Sequence, residues 1–123
     1  RKFSGDLESD VISLAHSEID IELISNIKDI VESNIGNPEF TSSMLCSELA
    51  MSSSKLYRKI TQLTDMSPNE FIRTIRLKKS ATLLKTKNYN VSEVANMVGF
   101  NDPLYFSRCF KKQFGHSPSQ LIK

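Results

Sequence analysis

The sequence has little from which to build a stapled or metal-held fold. Its 123 residues include two cysteines and two histidines. Cys46 and Cys109 lie in apolar-periodic stretches, where free buried thiols are common. Two thiols make no disulfide framework. A zinc site needs four close ligands, whereas Cys46, Cys109, His16 and His116 offer one loose pair, Cys109 and His116. Neither metal nor cofactor is expected. Long hydrophobic runs are missing too: no stretch of about 18 apolar residues runs unbroken, and no basic-then-apolar leader is present. On this ground a membrane span and a secretion signal are excluded, and a cytoplasmic protein is expected. The first residue is Arg1 rather than Met, which predicts a piece of a longer parent whose membrane anchor, if it has one, lies elsewhere. With four Gly and four Pro, the chain is no low-complexity polymer. Its length fits one domain or two small subdomains, burying roughly two thirds of the unfolded surface. Absent as well is any Ser/His/Asp set, paired-carboxylate site or Gly-rich phosphate loop at useful spacing, so an enzyme is the weakest function class for this chain.

What is present is a lopsided charge. Residues 1–52 hold three Lys/Arg against ten Asp/Glu, a net −7, and residues 53–123 hold thirteen against four, a net +9. A segment that basic is a footprint for a polyanion, with nucleic acid ahead of an anionic membrane because no basic amphipathic helix with an uninterrupted lipid face accompanies it. A solvated basic surface is the bland alternative.

Periodicity predicts an all-α chain of about seven helices with no competing strand pattern. Residues 1–17 read as a linker or arm, and 18–123 as the folded domain. Ile21, Ile24, Ile27, Val31 and Ile35 form one apolar stripe that Gly36-Asn37-Pro38 stops. Thr41 or Ser42 caps a helix carrying Met44, Leu45 and Leu49. Ser52 caps another to about Asp65, Ser67-Pro68-Asn69-Glu70 opens a long one to about Thr86, and Asn90 with Glu93 has capping-box spacing. Asn101-Asp102-Pro103 begins a helix to Phe114, and Ser117-Pro118-Ser119-Gln120 opens a last short one.

The strongest internal signal is a repeat. Shifted by 49, Leu45, Cys46, Leu49 and Ala50 fall on Val94, Ala95, Val98 and Gly99. Shifted by 50, Leu56, Arg58, Ile60, Ser67 and Pro68 fall on Phe106, Arg108, Phe110, Ser117 and Pro118. Each copy is a short helix, a tight turn and a longer helix, the order of a helix-turn-helix unit: the first at about 41–65, the second at about 91–114, joined by a linker helix at about 68–86 and followed by a final helix at about 118–122. Two generic helical hairpins would give the same periodicity but explain the paired arginines less well. At about 100° per residue, Phe106, Cys109, Phe110, Gln113 and Phe114 share one side of the later long helix, with Leu104, Ser107, Arg108, Lys111 and Lys112 opposite. In the earlier copy Leu56, Lys59, Ile60 and Leu63 lie inward, and Ser54, Tyr57, Arg58, Thr61 and Gln62 outward. The aromatic stripe is core, since the apolar face needs a partner. An outward Arg can donate two parallel hydrogen bonds to guanine O6 and N7, while Ser, Tyr or Leu meets other base edges or a thymine methyl. Flanking cations would hold phosphates, and the helix starts at Ser67 and Ser117 would present backbone N–H groups to them. The linker helix, roughly 28 Å long at 1.5 Å per residue, carries Arg73, Arg76, Lys78, Lys79 and Lys85 among apolar residues. Its length suits two recognition helices in successive major grooves about 34 Å apart, so the site would be asymmetric and direct.

The segment Val91-Ser92-Glu93-Val94-Ala95, then Val98 through Gly115, then Ser117-Pro118 resembles the signature of the second helix-turn-helix in the AraC/XylS family of transcription regulators. Leu49 to Pro68 matches the first more loosely, and the likeness covers about 40–123. Ser54 to Lys59 and Met66 to Arg73 further resemble the C-terminal output domain of Bacteroides-type hybrid two-component regulators. There a periplasmic glycan-sensing region, a histidine kinase and a receiver precede it in one membrane-anchored chain. The resemblance implies sequence-specific binding of double-stranded DNA, promoter activation through RNA polymerase, control of glycan utilisation, and kinase and receiver regions in the parent. The isolated domain is expected to be a monomer and the parent a dimer. Base-facing positions carried over are Ser54, Tyr57, Arg58, Pro103, Leu104, Ser107 and Arg108; phosphate contacts are expected from Ser52, Lys55, Thr61, Ser67, Asn101, Lys111, Lys112 and Ser117. Pro103 and Leu104 stand where some members carry polar residues, and Asp65 where glycine is common. A stand-alone activator of the same family, and a helical protein-interaction module without DNA binding, are the alternatives.

Overall fold

The computed structural model describes residues 18–122; the expected arm at 1–17 lies outside the described residues. Among the described residues six α-helices and one 3-10 turn follow in order: α1 (Glu18–Ser33), α2 (Ser42–Leu49), α3 (Ser53–Thr64), α4 (Pro68–Lys85), α5 (Val91–Met97), α6 (Pro103–Phe114) and the turn Pro118–Leu121. Among the described residues there is no strand, and no helix is long and apolar enough to cross a membrane. The chain divides into two compact units, the first from described residues 18–34 and 40–75, the second from 35–39 and 76–122. The boundary falls inside α4, so residues 68–75 of that helix serve one core and 76–85 the other.

In the first unit, Ile24, Ile27 and Val31 of α1 pack with Leu45 of α2, Leu56, Ile60 and Leu63 of α3, and Phe71, Ile72 and Ile75 of α4. The stripe expected from Ile21 to Ile35 is shorter than its periodicity. Ile21 is exposed, and α1 stops at Ser33, where Asn34 turns back with its Nδ2 donating to the Ile30 carbonyl at 2.8 Å. Ile35 packs instead in the second unit. The start of α2 also differs from expectation. Neither Thr41 nor Ser42 caps it with a side chain; the Ser42 N–H donates to Asn69 Oδ1 of α4 at 3.2 Å, so the cap comes from 27 residues away. Ser52 does cap α3, its Oγ accepting from the Lys55 N–H at 3.2 Å, and Ser67 Oγ accepts from Glu70 N–H at 3.2 Å at the start of α4. Asp65 ends α3 in the left-handed region at φ 64°, a conformation that Asp tolerates better than most residues.

The second unit packs Leu77 and Leu84 of α4 with Val94, Ala95 and Val98 around α5 and with Phe100, Phe106 and Phe110. The four rings Phe100, Phe106, Phe110 and Phe114 run in a chain with centroid spacings of 5.2, 5.8 and 4.6 Å. The aromatic stripe is thus consumed by the core, as edge and tilted ring contacts favour. The capping box at the start of α5 is complete: Glu93 N–H donates to Asn90 Oδ1 at 2.8 Å and Asn90 N–H to Glu93 Oε1 at 2.9 Å. Gly115 ends α6 at φ 83°. The expected last helix is a 3-10 turn, and Ser117 does not cap it; its Oγ sits 3.1 Å from Ser119 Oγ.

Candidate nucleic-acid interface

Each unit presents the longer helix of a helix-turn-helix pair with one apolar side buried, so the residues left in water are dictated by helical period. Along α3, Ser54, Lys55, Tyr57, Arg58 and Gln62 are exposed, while Leu56, Ile60 and Leu63 are buried. Along α6, Pro103, Leu104, Arg108, Lys111 and Lys112 are exposed and Ser107 is half-buried, opposite buried Phe106 and Phe110. The expected base-facing sets are therefore brought together within each helix, Ser54 with Tyr57 and Arg58, and Pro103 with Leu104, Ser107 and Arg108.

The expected phosphate set is more mixed. Ser52, Lys55, Asn101, Lys111 and Lys112 are exposed. Thr61 is half-buried and its hydroxyl donates to the Met66 carbonyl at 3.3 Å, so its one proton is committed inside the unit. Ser67 and Ser117 are half-buried and engaged at their own helix starts, Ser67 as a cap and Ser117 with Ser119. Lys59, on the flank of α3, is one-third exposed and its Nζ pairs with Asp20 Oδ1 of α1 at 3.2 Å.

Two residues that sequence reasoning passed over position this surface. Tyr105 is partly exposed, and the Arg108 guanidinium carbon lies 5.8 Å from its ring centroid, within cation–π range. The signal was available, since residues three apart on a helix are neighbours. Arg76, which the sequence shows only as one of several cations of the linker helix, is the second. It is 6% exposed; Nη1 donates to the carbonyls of Ile35 and Val98 at 2.6 Å each, and Nη2 to that of Asn37 at 2.9 Å. Burial pulls its pKa below the ordinary arginine value, and three carbonyl acceptors offset the lost hydration. The guanidinium fixes the turn Val98-Gly99 that leads to α6, and fills the space where a side chain at position 99 would go: at φ 87°, a Cβ there would overlap it and approach the Ile35 carbonyl to 2.6 Å. Only glycine fits.

Chemically the surface offers arginine forks, hydroxyls, amides and ammonium groups, all suited to base edges and phosphate oxygens. Among the described residues no three His, Cys, Asp or Glu side chains gather where a metal could be held, and no buried side-chain N or O lacks a hydrogen-bond partner.

Comparison with known proteins follows the same line. The profile of the helix-turn-helix domain family matches residues 45–123. The chain is 41% identical to Histidine kinase P4 of Formosa agariphila over 97% of its own length and 9% of the kinase's. It is 35% identical to the Msm operon regulatory protein of Streptococcus mutans over 81% of its length and 36% of the regulator's. The chain thus spans only part of these relatives. Among solved structures, the C-terminal domain of the two-component response regulator yesN from Fusobacterium nucleatum superposes with a TM-score of 0.73 at 28% identity, covering 83% of this chain and 99% of that domain.

Proposed function

From the premise that this chain belongs to the AraC-type helix-turn-helix family, and is a DNA-binding domain of transcription regulators rather than a catalytic one, we propose how it reads its operator. Arg58 and Arg108 are the base-reading residues of α3 and α6, each donating to guanine O6 and N7, with Ser54, Tyr57, Pro103, Leu104 and Ser107 on neighbouring base edges. Ser52, Lys55, Asn101, Lys111 and Lys112 hold phosphates, and backbone N–H groups at the starts of α4 and the 3-10 turn add to them. The observation that carries this reading is the placement of an exposed arginine at the same repeat position of both helices, each opposite a buried apolar stripe.

We also propose that the parent is a hybrid two-component regulator controlling glycan utilisation, with this domain in the cytoplasm and promoters activated through RNA polymerase. Likeness to a histidine kinase and to a response-regulator output domain supports that context. The isolated domain is a monomer, dimerised by kinase and receiver regions of the parent. Loss of glycan-induced transcription on deleting the parent, restored by the full-length protein and not by this domain alone, is the expected outcome in cells.

The direct test is selection of duplexes from a random library at a stated salt concentration. Two short enriched blocks about one helical turn apart are expected. On the enriched duplex, Arg108→Ala lowers affinity by about 1–3 kcal/mol and relaxes base preference at one position. Lys112→Ala weakens cognate and random DNA alike and reduces the salt slope by about one. Equal losses on cognate and random DNA for both variants would remove the base-reading role. Binding of a partner protein that persists at high salt without DNA would favour an interaction module.

A further inference from the structure

The start of α6 carries an apolar tip that α3 lacks. Pro103 and Leu104 are the first two residues of α6, both exposed, and Leu104 leaves 78% of its surface in solvent. The repeat puts Ser53 and Ser54 at the corresponding positions of α3. Leu104 is not needed to begin the helix. Its own N–H is capped by Asp102 Oδ1 at 2.9 Å, and Pro103 supplies the preset first position. An isobutyl group held in water gains nothing inside the unit and becomes favourable only when something apolar covers it.

The surroundings of that tip identify what covers it. Arg108, Lys111 and Lys112 are exposed on the same helix, so the occupant is polyanionic and yet offers a small apolar group. On the major-groove edges of the four DNA bases one group fits, the thymine 5-methyl. Leu104 and Arg108 are four residues apart, one above the other on one side of α6, with a rise of about 6 Å. Base pairs are stacked about 3.4 Å apart, so that rise spans about two steps. Arg108 is held in advance. Its guanidinium lies over Tyr105, whose ring leans at 6.0 Å on buried Phe100. A fork anchored by such a stack has less rotamer freedom to lose when it donates to a guanine.

We infer that Leu104 and Arg108 act as a pair, reading a thymine methyl and a guanine within two base pairs of each other in the operator block taken by α6. At the corresponding place in the block taken by α3, Ser54 stands where Leu104 does and offers no apolar group to a thymine methyl. This rests on the DNA-reading function above and adds base identity and spacing to it.

The test uses the 123-residue chain and the duplexes it enriches from a random library. Each thymine is replaced singly by deoxyuridine, which deletes one methyl, and each guanine by 7-deazaguanine, which deletes N7. Dissociation constants are measured by fluorescence anisotropy at one fixed salt concentration. Deoxyuridine at one thymine, within two base pairs of a deazaguanine-sensitive guanine, weakens binding about four-fold, the factor expected for one buried methyl. In Leu104→Ala the thymine and deoxyuridine duplexes bind equally while the deazaguanine loss remains; in Arg108→Ala the deazaguanine loss disappears. Leu104 is exposed, so its alanine variant melts as the parent chain does; if it does not, the thymine to deoxyuridine ratio of the unaltered chain decides alone. Enriched duplexes that bind unchanged whichever methyl is removed, or a methyl effect that survives in Leu104→Ala, overturn the pairing and leave DNA reading intact. Failure to enrich any duplex over bulk DNA overturns both.

Discussion

Ala50 and Gly99 stand at the same place in the two repeat copies, each just after the short helix of its pair and each left-handed, at φ 53° and 87°. Yet the two turns are secured differently. In the first unit a methyl group is accommodated, and the turn is closed by backbone alone, with Ala50 and Met51 N–H groups donating to the Ser47 and Cys46 carbonyls. In the second, the space beside the α-carbon is taken by the Arg76 guanidinium, which bonds carbonyls on both sides of it. A similar backbone path therefore imposes different sequence demands. The second copy is anchored by a buried cation from α4; the first tolerates a side chain at some cost in backbone strain.

The largest effect expected to break this comparison comes from Gly99→Ala. With overlap at the guanidinium and a strained φ, it should cost about 4 kcal/mol in denaturant unfolding, and amide-exchange protection should fall first in residues 76–122. Retained stability would show that Arg76 can move aside. Next, Arg76→Met keeps the length of the side chain but leaves the Ile35, Asn37 and Val98 carbonyls without their donor, and about 3 kcal/mol should be lost. The double variant Arg76→Met with Gly99→Ala should then lose less than the sum of the two, because removing the guanidinium relieves one of the two clashes that alanine meets, the approach to the Ile35 carbonyl remaining. A smaller effect is expected at the ion pair between Asp20 of α1 and Lys59 of α3. Asp20→Ala should cost about 1 kcal/mol, diminishing with added salt because Lys59 is partly exposed. Last, Ala50→Gly should stabilise by about 0.5 kcal/mol, measured as a small rise in midpoint, where the same exchange reversed at position 99 is ruinous.

How legible these features were depended on how local their physics is. Helix starts at Ser52, Ser67 and Asn90 were legible because a capping hydroxyl or amide acts within three residues of itself. The inward and outward sets on α3 and α6 were legible because helical period alone separates Leu56 and Ile60 from Tyr57 and Arg58, and Phe106 and Phe110 from Leu104 and Arg108. The start of α2 was not, because its cap, Asn69, arrives from another helix, and no spacing rule joins positions 27 residues apart. Thr61 read as outward by angle, but its hydroxyl is taken up by the Met66 carbonyl once α3 has ended at Asp65. Among the cations of α4, Arg76 looks like its neighbours in sequence, and only the loops that converge on it distinguish it.

The sequence by itself determined the all-helical class, the two-copy order of short and long helices, the caps at Ser52, Ser67 and Asn90 and the exposed arginine of each long helix, because these follow from periodicity and contacts a few residues apart. Tertiary structure alone decided which polar groups were withdrawn from the surface. Met66 taking Thr61 and three carbonyls burying Arg76 join segments distant in sequence or separated by a turn. Their physical reason is the same throughout: a polar group leaves water only where folding brings it a partner.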